Sequence, residues 1–272
     1  MSKYLVTGAA GFIASKVAEL LLDEGHEVVC VDNMNEYYDV RLKRYRLDRL
    51  EGRSGFSFYQ IDISDQGAME VLFMHHRFDA VINLAARAGV RYSVVNPYVY
   101  MMTNAQGTLN LLQEMVKHGI RKMVLASTSS LYAGQTMPFK EDLAVNTPIS
   151  TYAASKKAAE VLAHSYHYLH DLDISVLRYF TVFGPAGRPD MSIYRFIRWI
   201  DEGQPIELFG DGTQSRDFTY VDDIARGTVL ALRPVGYEVI NLGGGRNPVS
   251  INRIIEEIET LLGKNASVDR KP

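Results

Sequence analysis

Short apolar runs rich in Val and Ile alternate with longer stretches of helical periodicity along the first 180 residues. Short runs of this kind are typical of strands buried on both faces, whereas apolar positions three and four apart indicate a helix with one buried face. The predicted strands span residues 4–7, 28–31, 56–61, 80–84, 123–127 and 174–178, and the predicted helices span 13–22, 40–50, 68–75, 99–118 and 150–170. This order predicts an α/β fold, a doubly wound parallel sheet with helices on both faces.

The rhythm changes after about residue 185, where turn-rich stretches become frequent. Predicted helices span 193–202, 222–232 and 251–262, and predicted strands span 206–209, 216–220 and 238–242. We therefore predict two domains: residues 1–180, and a smaller, interleaved α/β lobe over residues 181–272.

Composition excludes several functional classes. The 29 basic and 32 acidic residues give a formal net charge of −3, without the basic excess of a dedicated nucleic-acid binder. No apolar run approaches the roughly 18 residues of a membrane span, and the N-terminus does not resemble a signal peptide. The lone Cys30 excludes a disulfide framework and favours a reducing compartment. We expect a cytoplasmic protein with no nucleic-acid or membrane partner.

A glycine turn joins the first predicted strand to the first predicted helix. Gly8 permits a tight turn, Gly11 permits close approach to a phosphate, and Ala14 occupies the third position of the dinucleotide fingerprint. Asp32 ends the second strand, where a carboxylate can accept hydrogen bonds from ribose hydroxyls and repel a 2′-phosphate, so NAD is favoured over NADP. The alternative is an ordinary glycine turn followed by a surface Asp. The predicted phosphate-binding residues are Gly8, Ala10, Gly11, Phe12 and Ile13.

A tyrosine and a lysine lie four positions apart on one predicted helix. Tyr152 and Lys156 therefore share a helix face, and a neighbouring ammonium favours the phenolate of a Tyr that otherwise titrates near pH 10. Residues 127–130, Ser-Thr-Ser-Ser, follow a predicted strand, whose carboxyl end faces the ligand crevice of an open α/β sheet. The pattern predicts an acid–base site.

Together, these and further segments resemble an extended short-chain dehydrogenase/reductase, specifically the nucleotide-sugar epimerases. The segments are residues 7–13, 83–86, 127–132, 152–156 and 216–223. Segments 32–39, 88–93 and 178–191 most closely resemble UDP-glucuronate 4-epimerases. A catalytically silent NAD-sensing protein on this fold is expected to lack the Tyr–Lys pair, which this chain has.

The resemblance implies a Rossmann-type domain that holds NAD tightly and a small lobe that binds a UDP-sugar. Tyr152 would take the proton of the sugar 4-hydroxyl, Lys156 would hold the nicotinamide ribose and tune Tyr152, and Thr128 would hydrogen-bond the same hydroxyl. Hydride would pass from C4 to NAD, the 4-keto sugar would rotate, and hydride would return to its other face.

The resemblance also implies binding contacts and an oligomeric state. Cofactor contacts would fall on Asp32, Asn33, Asp62, Ile63, Leu84, Ala85, Ala86, Asn104, Ser127 and Tyr179. Arg216 would meet the substrate diphosphate, with Arg195 and Phe209 near the uridine. Helices 99–118 and 150–170 would form a four-helix homodimer interface.

The substrate prediction rests on residues beside Thr128. Related dehydratases usually carry an Asp-Glu pair there and related decarboxylases a glutamate, whereas this chain has Ser129 and Ser130. Without an added carboxylate, plain epimerisation is favoured. A 4-keto uronic acid is a β-keto acid that loses CO₂ readily, so its carboxylate has to be held firmly. We expect Thr181, Ser129 and Ser130 to do this, although a UDP-glucose/UDP-galactose epimerase and, less favoured, a decarboxylase remain alternatives.

Two other arginines each have two interpretations, and the remaining basic cluster is expected to be solvated. Arg188 adds a charge at the substrate rim or fixes its loop, and Arg91 reaches the substrate or braces its loop. The basic residues of 41–49 are expected to form a solvated face, and no metal site is expected. Relatives continue past Pro272, so we expect the second lobe to be truncated.

Overall fold

The structure, a computed structural model, describes residues 1–244 and 247–271. Its strands are β1 (Lys3–Thr7), β2 (Glu27–Asp32), β3 (Phe56–Gln60), β4 (Ala80–Asn83), β5 (Lys122–Thr128), β6 (Asp173–Tyr179), β7 (Thr181–Phe183), β8 (Ile206–Phe209), β9 (Ser215–Arg216), β10 (Phe218–Tyr220), β11 (Tyr237–Leu242), β12 (Val249–Ser250) and β13 (Val268–Lys271). The six strands predicted before residue 180 are all present. The predicted strand 216–220 is split around Asp217 into β9 and β10, which pair with different partners.

The helices follow the predicted order, with one composite element and one short helix, residues 90–95, that the sequence did not predict. They are α1 (Phe12–Asp23), α2 (Val40–Asp48), α3 (Gln66–His75), α4 (Val90–Val95), α5 (Pro97–Tyr100), α6 (Gly107–His118), α7 (Thr151–His170), α8 (Ser192–Asp201), α9 (Val221–Leu230) and α10 (Ile251–Leu262), with a π-helix at Met101–Gln106 and a 3₁₀ helix at Ser129–Tyr132. The predicted helix 99–118 is thus α5, a π segment and α6 in succession. No helix in the two described ranges has the length and apolar character needed to cross a bilayer.

Seven strands form one parallel sheet in the order β11-β6-β5-β4-β1-β2-β3. Alternate residues of each strand point to opposite faces, and both faces are buried. Leu5 and Val81 join the core cluster formed with α3, α6 and α7, whereas their neighbours Val6 and Ile82 are equally buried but lie outside that cluster. This is the predicted Rossmann-type doubly wound sheet.

Two compact units divide the chain. The first is Met1–Tyr179 with Asp222–Leu242, and the second is Phe180–Val221 with Gly243–Pro272. The sequence placed the helix and strand within 222–242 in the second lobe. The structure instead joins them to the first unit, because β11 pairs along its length with β6, from Tyr237 beside Ile174 to Leu242 beside Tyr179.

The second unit has its own small core. Its strands form three two-stranded ladders, of which β7–β10 and β8–β13 are parallel and β9–β12 is antiparallel. Helices α8 and α10 pack together through one apolar face each. The core comprises Phe196, Ile200, Ile206, Leu208, Ile251, Ile255 and Ile258.

Candidate active site

The glycine turn after β1 has no room for larger residues. Gly8 has φ of +70°, and a Cβ added there would lie 2.7 Å from the Cα of Ala85. The Gly11 N–H donates to the Gly8 carbonyl at 2.7 Å, and a Cβ on Gly11 would lie 2.8 Å from that oxygen. Both glycines are therefore required by the turn itself, before any ligand is considered.

Helix α1 begins at this turn with its N-terminal amides unblocked by side chains. Gly11 occupies the N-cap and offers no side-chain acceptor, and the first turn, which contains Phe12 and Ile13, has no acidic residue. The first N–H groups of a helix lack partners within the helix and carry partial positive charge. A helix start of this kind suits a phosphate group, and phosphate binding at this turn stays a prediction.

Asp32 accepts hydrogen bonds from the protein backbone and can still accept hydrogen bonds from a ribose. One carboxylate oxygen accepts from the Ala10 N–H at 3.2 Å and the other accepts from the Met34 N–H at 2.8 Å. Lys43 lies 3.5 Å from the second oxygen, and both side chains are buried. A carboxylate has about four acceptor positions, so Asp32 keeps capacity for ribose hydroxyls.

The basic helix α2 is only partly a solvated face, which corrects the expectation from sequence. Arg41, Arg44 and Arg49 are exposed, but Lys43 and Arg46 are buried. Arg46 Nη1 donates to the Ala10 carbonyl at 2.9 Å. Burial lowers the pKa of Lys43 despite the attraction of Asp32. Alternation of charge in the sequence could not reveal that Arg46 contacts the glycine turn and that Lys43 contacts Asp32.

Asn33 and Asp62 lie together at the ends of β2 and β3, whereas Ile63 lies in the core. Asn33 Nδ2 donates to Asp62 at 2.6 Å, and Ser64 donates to the other oxygen from its N–H and its hydroxyl. Burial raises the pKa of Asp62, but these hydrogen bonds outweigh that effect and hold the pKa below its usual range. Ile63 is 3% exposed, and its carbonyl accepts from Asn110.

The loop after β4 packs beside the glycine turn. Thr7 Oγ1 accepts from the N–H groups of Leu84 and Ala85, both at 3.1 Å, which fixes this loop to the end of β1. Ala86 follows in the same half-buried segment. Asn104, from the π-helix, accepts from the Arg87 N–H at 2.8 Å and donates to the Arg87 carbonyl at 3.0 Å. Its amide therefore serves protein contacts.

Asn104 also connects this loop to the helix that carries the Tyr–Lys pair. Its Nδ2 donates to Ser155 Oγ at 2.9 Å, and Ser155 Oγ donates to the Tyr152 carbonyl at 2.7 Å. The π-helix places Asn104 in this position. A π-helix has a wider turn than an α-helix, so the helical period of 3.6 residues did not predict it.

Thr128, Tyr152 and Lys156 are positioned by elements that pack together. Thr128 ends β5, and α7 packs against both β5 and the 3₁₀ helix that follows it. Ser150 caps α7 by accepting from the Ala153 N–H, so Tyr152 and Lys156 occupy its first two turns. Thr128 Oγ1 accepts from the Ser130 N–H at 3.1 Å, which leaves its O–H as a donor.

Glu160 forms a buried network that the sequence prediction missed. It lies one turn beyond Lys156 and accepts from Ser127 Oγ at 2.6 Å. Arg178 of β6 donates to both Glu160 oxygens, at 3.0 and 2.9 Å. Burial raises the pKa of Glu160, but the bonds from Arg178 and Ser127 reverse the shift and lower it. An arginine within the apolar run of β6 and a glutamate four residues after Lys156 were the available signals.

Lys156 is buried with no described carboxylate bonded to its ammonium. Burial lowers its pKa from the ordinary 10.5 to about 8, against the attraction of Glu160. Between pH 8 and 10.5 the unfolded chain therefore binds this proton more tightly than the folded chain, so this group makes stability rise with pH across that window. Below pH 8 the charged Lys156 destabilises the fold.

Replacing Lys156 with Met is consequently expected to raise the free energy of unfolding at pH 7, by on the order of 2 kcal/mol. Urea unfolding of ligand-free protein at pH 7 and pH 9.5 measures this gain, which should shrink at the higher pH. Lys140→Met is the matched control, since Lys140 is exposed. A less stable Lys156→Met protein at pH 7 would contradict the interpretation.

Tyr179 lies beside Thr128 in the sheet register, but its hydroxyl is engaged elsewhere. The Tyr179 hydroxyl and Thr228 Oγ1 are 2.9 Å apart, and burial raises the pKa of the phenol. The Ser127 hydroxyl is likewise bonded to Glu160. The hydroxyls of Ser127 and Tyr179 therefore serve contacts within the protein.

The remaining substrate candidates lie in both units. Arg91 is exposed on α4, and Ser129 and Ser130 are half-buried in the 3₁₀ helix. In the second unit, Thr181 begins β7, and Phe209 and Arg216 are exposed. Two further arginines form ion pairs, Arg188 with Asp190 and Arg195 with Glu207. The Arg188–Asp190 contact favours the loop-fixing interpretation of Arg188. Among the described residues, no three His, Cys, Asp or Glu side chains are grouped to hold a metal.

Comparisons with known proteins identify a matching family and similar sequences. Residues 4–243 match the sequence model of the NAD dependent epimerase/dehydratase family. The chain is 62% identical over 266 residues to the UDP-glucuronate 4-epimerase of Thermodesulfobacterium geofontis, which covers 98% of this chain and 82% of that protein.

Solved structures are similar over almost the whole chain. The UDP-glucuronic acid 4-epimerase of Bacillus cereus, in complex with UDP-glucuronic acid and NAD, superposes with a TM-score of 0.92 at 39% identity, covering 98% of this chain and 85% of that one. The UDP-glucose 4-epimerase of Thermotoga maritima, with UDP-glucose, gives a TM-score of 0.88 at 32% identity, covering 99% and 85%.

Proposed function

Because this chain belongs to the NAD dependent epimerase/dehydratase family, we propose that it interconverts UDP-glucuronate and UDP-galacturonate by NAD-dependent epimerisation at C4. The observation that carries the proposal is the placement of Tyr152 and the buried Lys156 one turn apart on α7, which packs against the end of β5 at Thr128. The 62% identity to a UDP-glucuronate 4-epimerase supports the choice of sugar.

The residues around the glycine turn fit NAD. The turn and the uncapped start of α1 suit a diphosphate, and Asp32 retains acceptor positions for ribose hydroxyls. Arg87 Nε is buried and has no hydrogen-bond acceptor among the described residues, which leaves a cationic donor for an anionic ligand. NAD, when bound, accepts hydride from C4 of the sugar and returns it.

We assign the acid–base role to Tyr152, and Lys156 and Thr128 assist it. Tyr152 takes the proton from the 4-hydroxyl as C4 is oxidised and gives it back after the 4-keto sugar has rotated. Lys156 in its charged form favours the phenolate of Tyr152 and holds the nicotinamide ribose. Thr128 donates a hydrogen bond to the same oxygen, which keeps it close to Tyr152.

The choice of epimerisation over other reactions rests on the segment after Thr128. Ser129 and Ser130 offer hydroxyls where a dehydratase or decarboxylase needs a carboxylic acid. Neutral donors can bind a substrate carboxylate without supplying a proton for loss of CO₂. The UDP-glucose/UDP-galactose epimerase stays the second candidate, because a UDP-glucose 4-epimerase has a similar structure.

We propose further that Thr181 helps Ser129 and Ser130 hold the C6 carboxylate. Thr181→Val removes a hydroxyl with little change of shape, so the 4-keto intermediate is expected to lose CO₂ more often. The measured quantity is the UDP-pentose fraction of the product by chromatography. Thr260→Val is the control, because Thr260 is exposed on α10. Unchanged product and affinity in Thr181→Val would remove Thr181 from the carboxylate site.

The proposal extends to the two units and to the assembly. The first unit binds NAD, and the second supplies UDP-sugar contacts through Arg195, Phe209 and Arg216.

A homodimer through α6 and α7 is supported by exposed apolar side chains on α7, such as Val161 and Leu169. A cytoplasmic location is supported by the single, buried cysteine.

Product analysis tests the proposed function. The purified protein is incubated separately with UDP-glucuronate and UDP-glucose, and products are separated while absorbance at 340 nm follows NADH. UDP-galacturonate without accumulating NADH is the expected result. Faster conversion of UDP-glucose would favour the second candidate, and steady pentose formation would indicate a decarboxylase.

A further inference from the structure

Arg87 connects the two loops on either side of the glycine turn. Its backbone lies in the loop after β4, and its Nη1 donates to Asn35 Oδ1 at 2.9 Å in the loop after β2. In the sheet, β4 and β2 flank β1, from which the glycine turn emerges. The side chain of Arg87 therefore crosses the carboxyl end of β1, where a doubly wound sheet binds the diphosphate of a dinucleotide.

Both ends of this bridge are held in place. Asn35 is fixed by its own loop, because its Nδ2 donates to Asn33 Oδ1 at 2.6 Å and its Oδ1 also accepts from the Tyr37 N–H. The Arg87 backbone is fixed by two hydrogen bonds with the Asn104 amide. Both loops are thus held by their own hydrogen bonds, and the Arg87 guanidinium connects them.

The guanidinium has unused hydrogen-bonding capacity. Its Nε–H is buried, and no acceptor for it exists among residues 1–244 and 247–271. A buried donor without a partner is unfavourable, and a guanidinium presents its N–H groups in a planar fork that suits phosphate oxygens. A ligand with closely spaced anionic oxygens would satisfy it.

Charges around the bridge also favour an anion. Arg87 and Arg46 both lie close enough to Lys43 to lower its pKa, after the larger effect of its burial. The nearby carboxylates, Asp32 and Asp62, number one fewer than these three cations and already accept hydrogen bonds from protein groups. A diphosphate would reverse the local excess of positive charge.

We propose that Arg87 is a clasp that closes over the diphosphate of the dinucleotide and slows its release. The clasp rests on the proposed function, in which NAD must stay bound while hydride leaves C4 and returns. Its bond to Asn35 opens when the dinucleotide enters or leaves. The role of Arg87 is retention of the cofactor, distinct from proton transfer by Tyr152.

Exchange of bound NAD tests the clasp on the intact protein. The purified protein is mixed with an excess of ¹³C-labelled NAD, and mass spectrometry after denaturation follows replacement of the bound cofactor. Arg87→Gln is expected to speed exchange at least about tenfold, which corresponds to about 1.4 kcal/mol. Arg87→Lys, which keeps the charge and loses the fork, is expected to fall between that variant and the native chain. Arg44→Gln, an exposed arginine paired with Glu51, is the control.

Two competitors identify the part of the cofactor that Arg87 holds. ADP-ribose contains the diphosphate, and adenosine does not. Arg87→Gln is expected to weaken competition by ADP-ribose about tenfold, or about 1.4 kcal/mol, and to leave adenosine unchanged. Exchange at the native rate in both Arg87 variants, or equal weakening of the two competitors, would overturn the clasp. The product assay on the native chain reports separately on the proposed function.

Discussion

Tyr152→Phe is expected to lower kcat for epimerisation by about 10²–10⁴-fold, the range typical of a lost general acid–base group. The phenyl ring preserves the packing of Tyr152 against Tyr100, whose ring centre lies 6.1 Å away. What is lost is the hydroxyl that moves the proton of the 4-hydroxyl. Without the Tyr152 hydroxyl, the sugar 4-hydroxyl would have to lose its proton during oxidation of C4 without help from this general base. Product formation under saturating UDP-glucuronate gives kcat, and NAD content is measured on the same preparation.

Tyr168→Phe is the matched control for this loss. Tyr168 lies on the same helix and is 79% exposed, so its phenol is expected to be unimportant for the chemical step. A Tyr152→Phe protein that keeps NAD and retains native kcat would remove Tyr152 from the mechanism. Loss of NAD together with activity would instead place its main effect on cofactor binding.

Arg178→Met is expected to cost about 3–5 kcal/mol of unfolding free energy, because it removes the cation that donates two hydrogen bonds to the buried Glu160 carboxylate. Glu160 and Arg178 are 2% and 3% exposed and share two hydrogen bonds. Arg178 also donates to the Tyr132 hydroxyl at 2.7 Å, so the variant removes a second bond. Urea unfolding measures the loss. Arg226→Met is the control, because Arg226 is exposed and pairs with Asp223 at the surface.

The pH dependence gives this prediction a specific sign. In the native chain the pKa of Glu160 is below its ordinary value of 4.5, so its ionised form stabilises the fold above that value and the contribution is lost as pH falls through the folded pKa. Arg178→Met loses the hydrogen bonds that do most to offset burial, so the pKa of Glu160 is expected to rise. The deficit should therefore be largest near neutral pH and shrink in acid, where Glu160 is protonated.

A double variant separates the charge from the packing. Glu160→Gln combined with Arg178→Met leaves no buried charge at this position, so it should recover much of the stability that Arg178→Met loses. A single-variant deficit that is the same at pH 5 and pH 8, with no recovery in the double variant, would show that packing alone accounts for the loss.

The sequence predicted the local elements well because their signals are local. The strands before residue 180 follow from apolar runs, and the glycine turn follows from residues that are adjacent in the chain. The assignment of 237–242 required knowledge of a partner far along the chain, because that strand pairs with β6. The sheet therefore has a seventh strand that chain order alone assigned to the second lobe.

The site was predictable where chemistry follows spacing and was missed where contacts are non-local. Tyr152 and Lys156 are four apart, and Thr128 ends a strand. The Glu160–Arg178 pair joins α7 to β6, and the Arg87–Asn35 contact joins two loops 52 residues apart. Likewise, Lys43 is buried in a contact between α2 and Asp32 at the end of β2. These contacts adjust charge and position around residues that the pattern could identify.

The fate of the hydrogen at C4 distinguishes transfer to bound NAD from other routes of inversion. UDP-glucuronate carrying deuterium at C4 is converted in ordinary water, and the UDP-galacturonate formed is analysed by mass spectrometry and NMR. Hydride transfer to bound NAD and back predicts that deuterium stays at C4 of the product through many turnovers, with no net NADH. Replacement of that deuterium by solvent hydrogen would show that C4 is inverted by another route and would exclude hydride transfer through bound NAD.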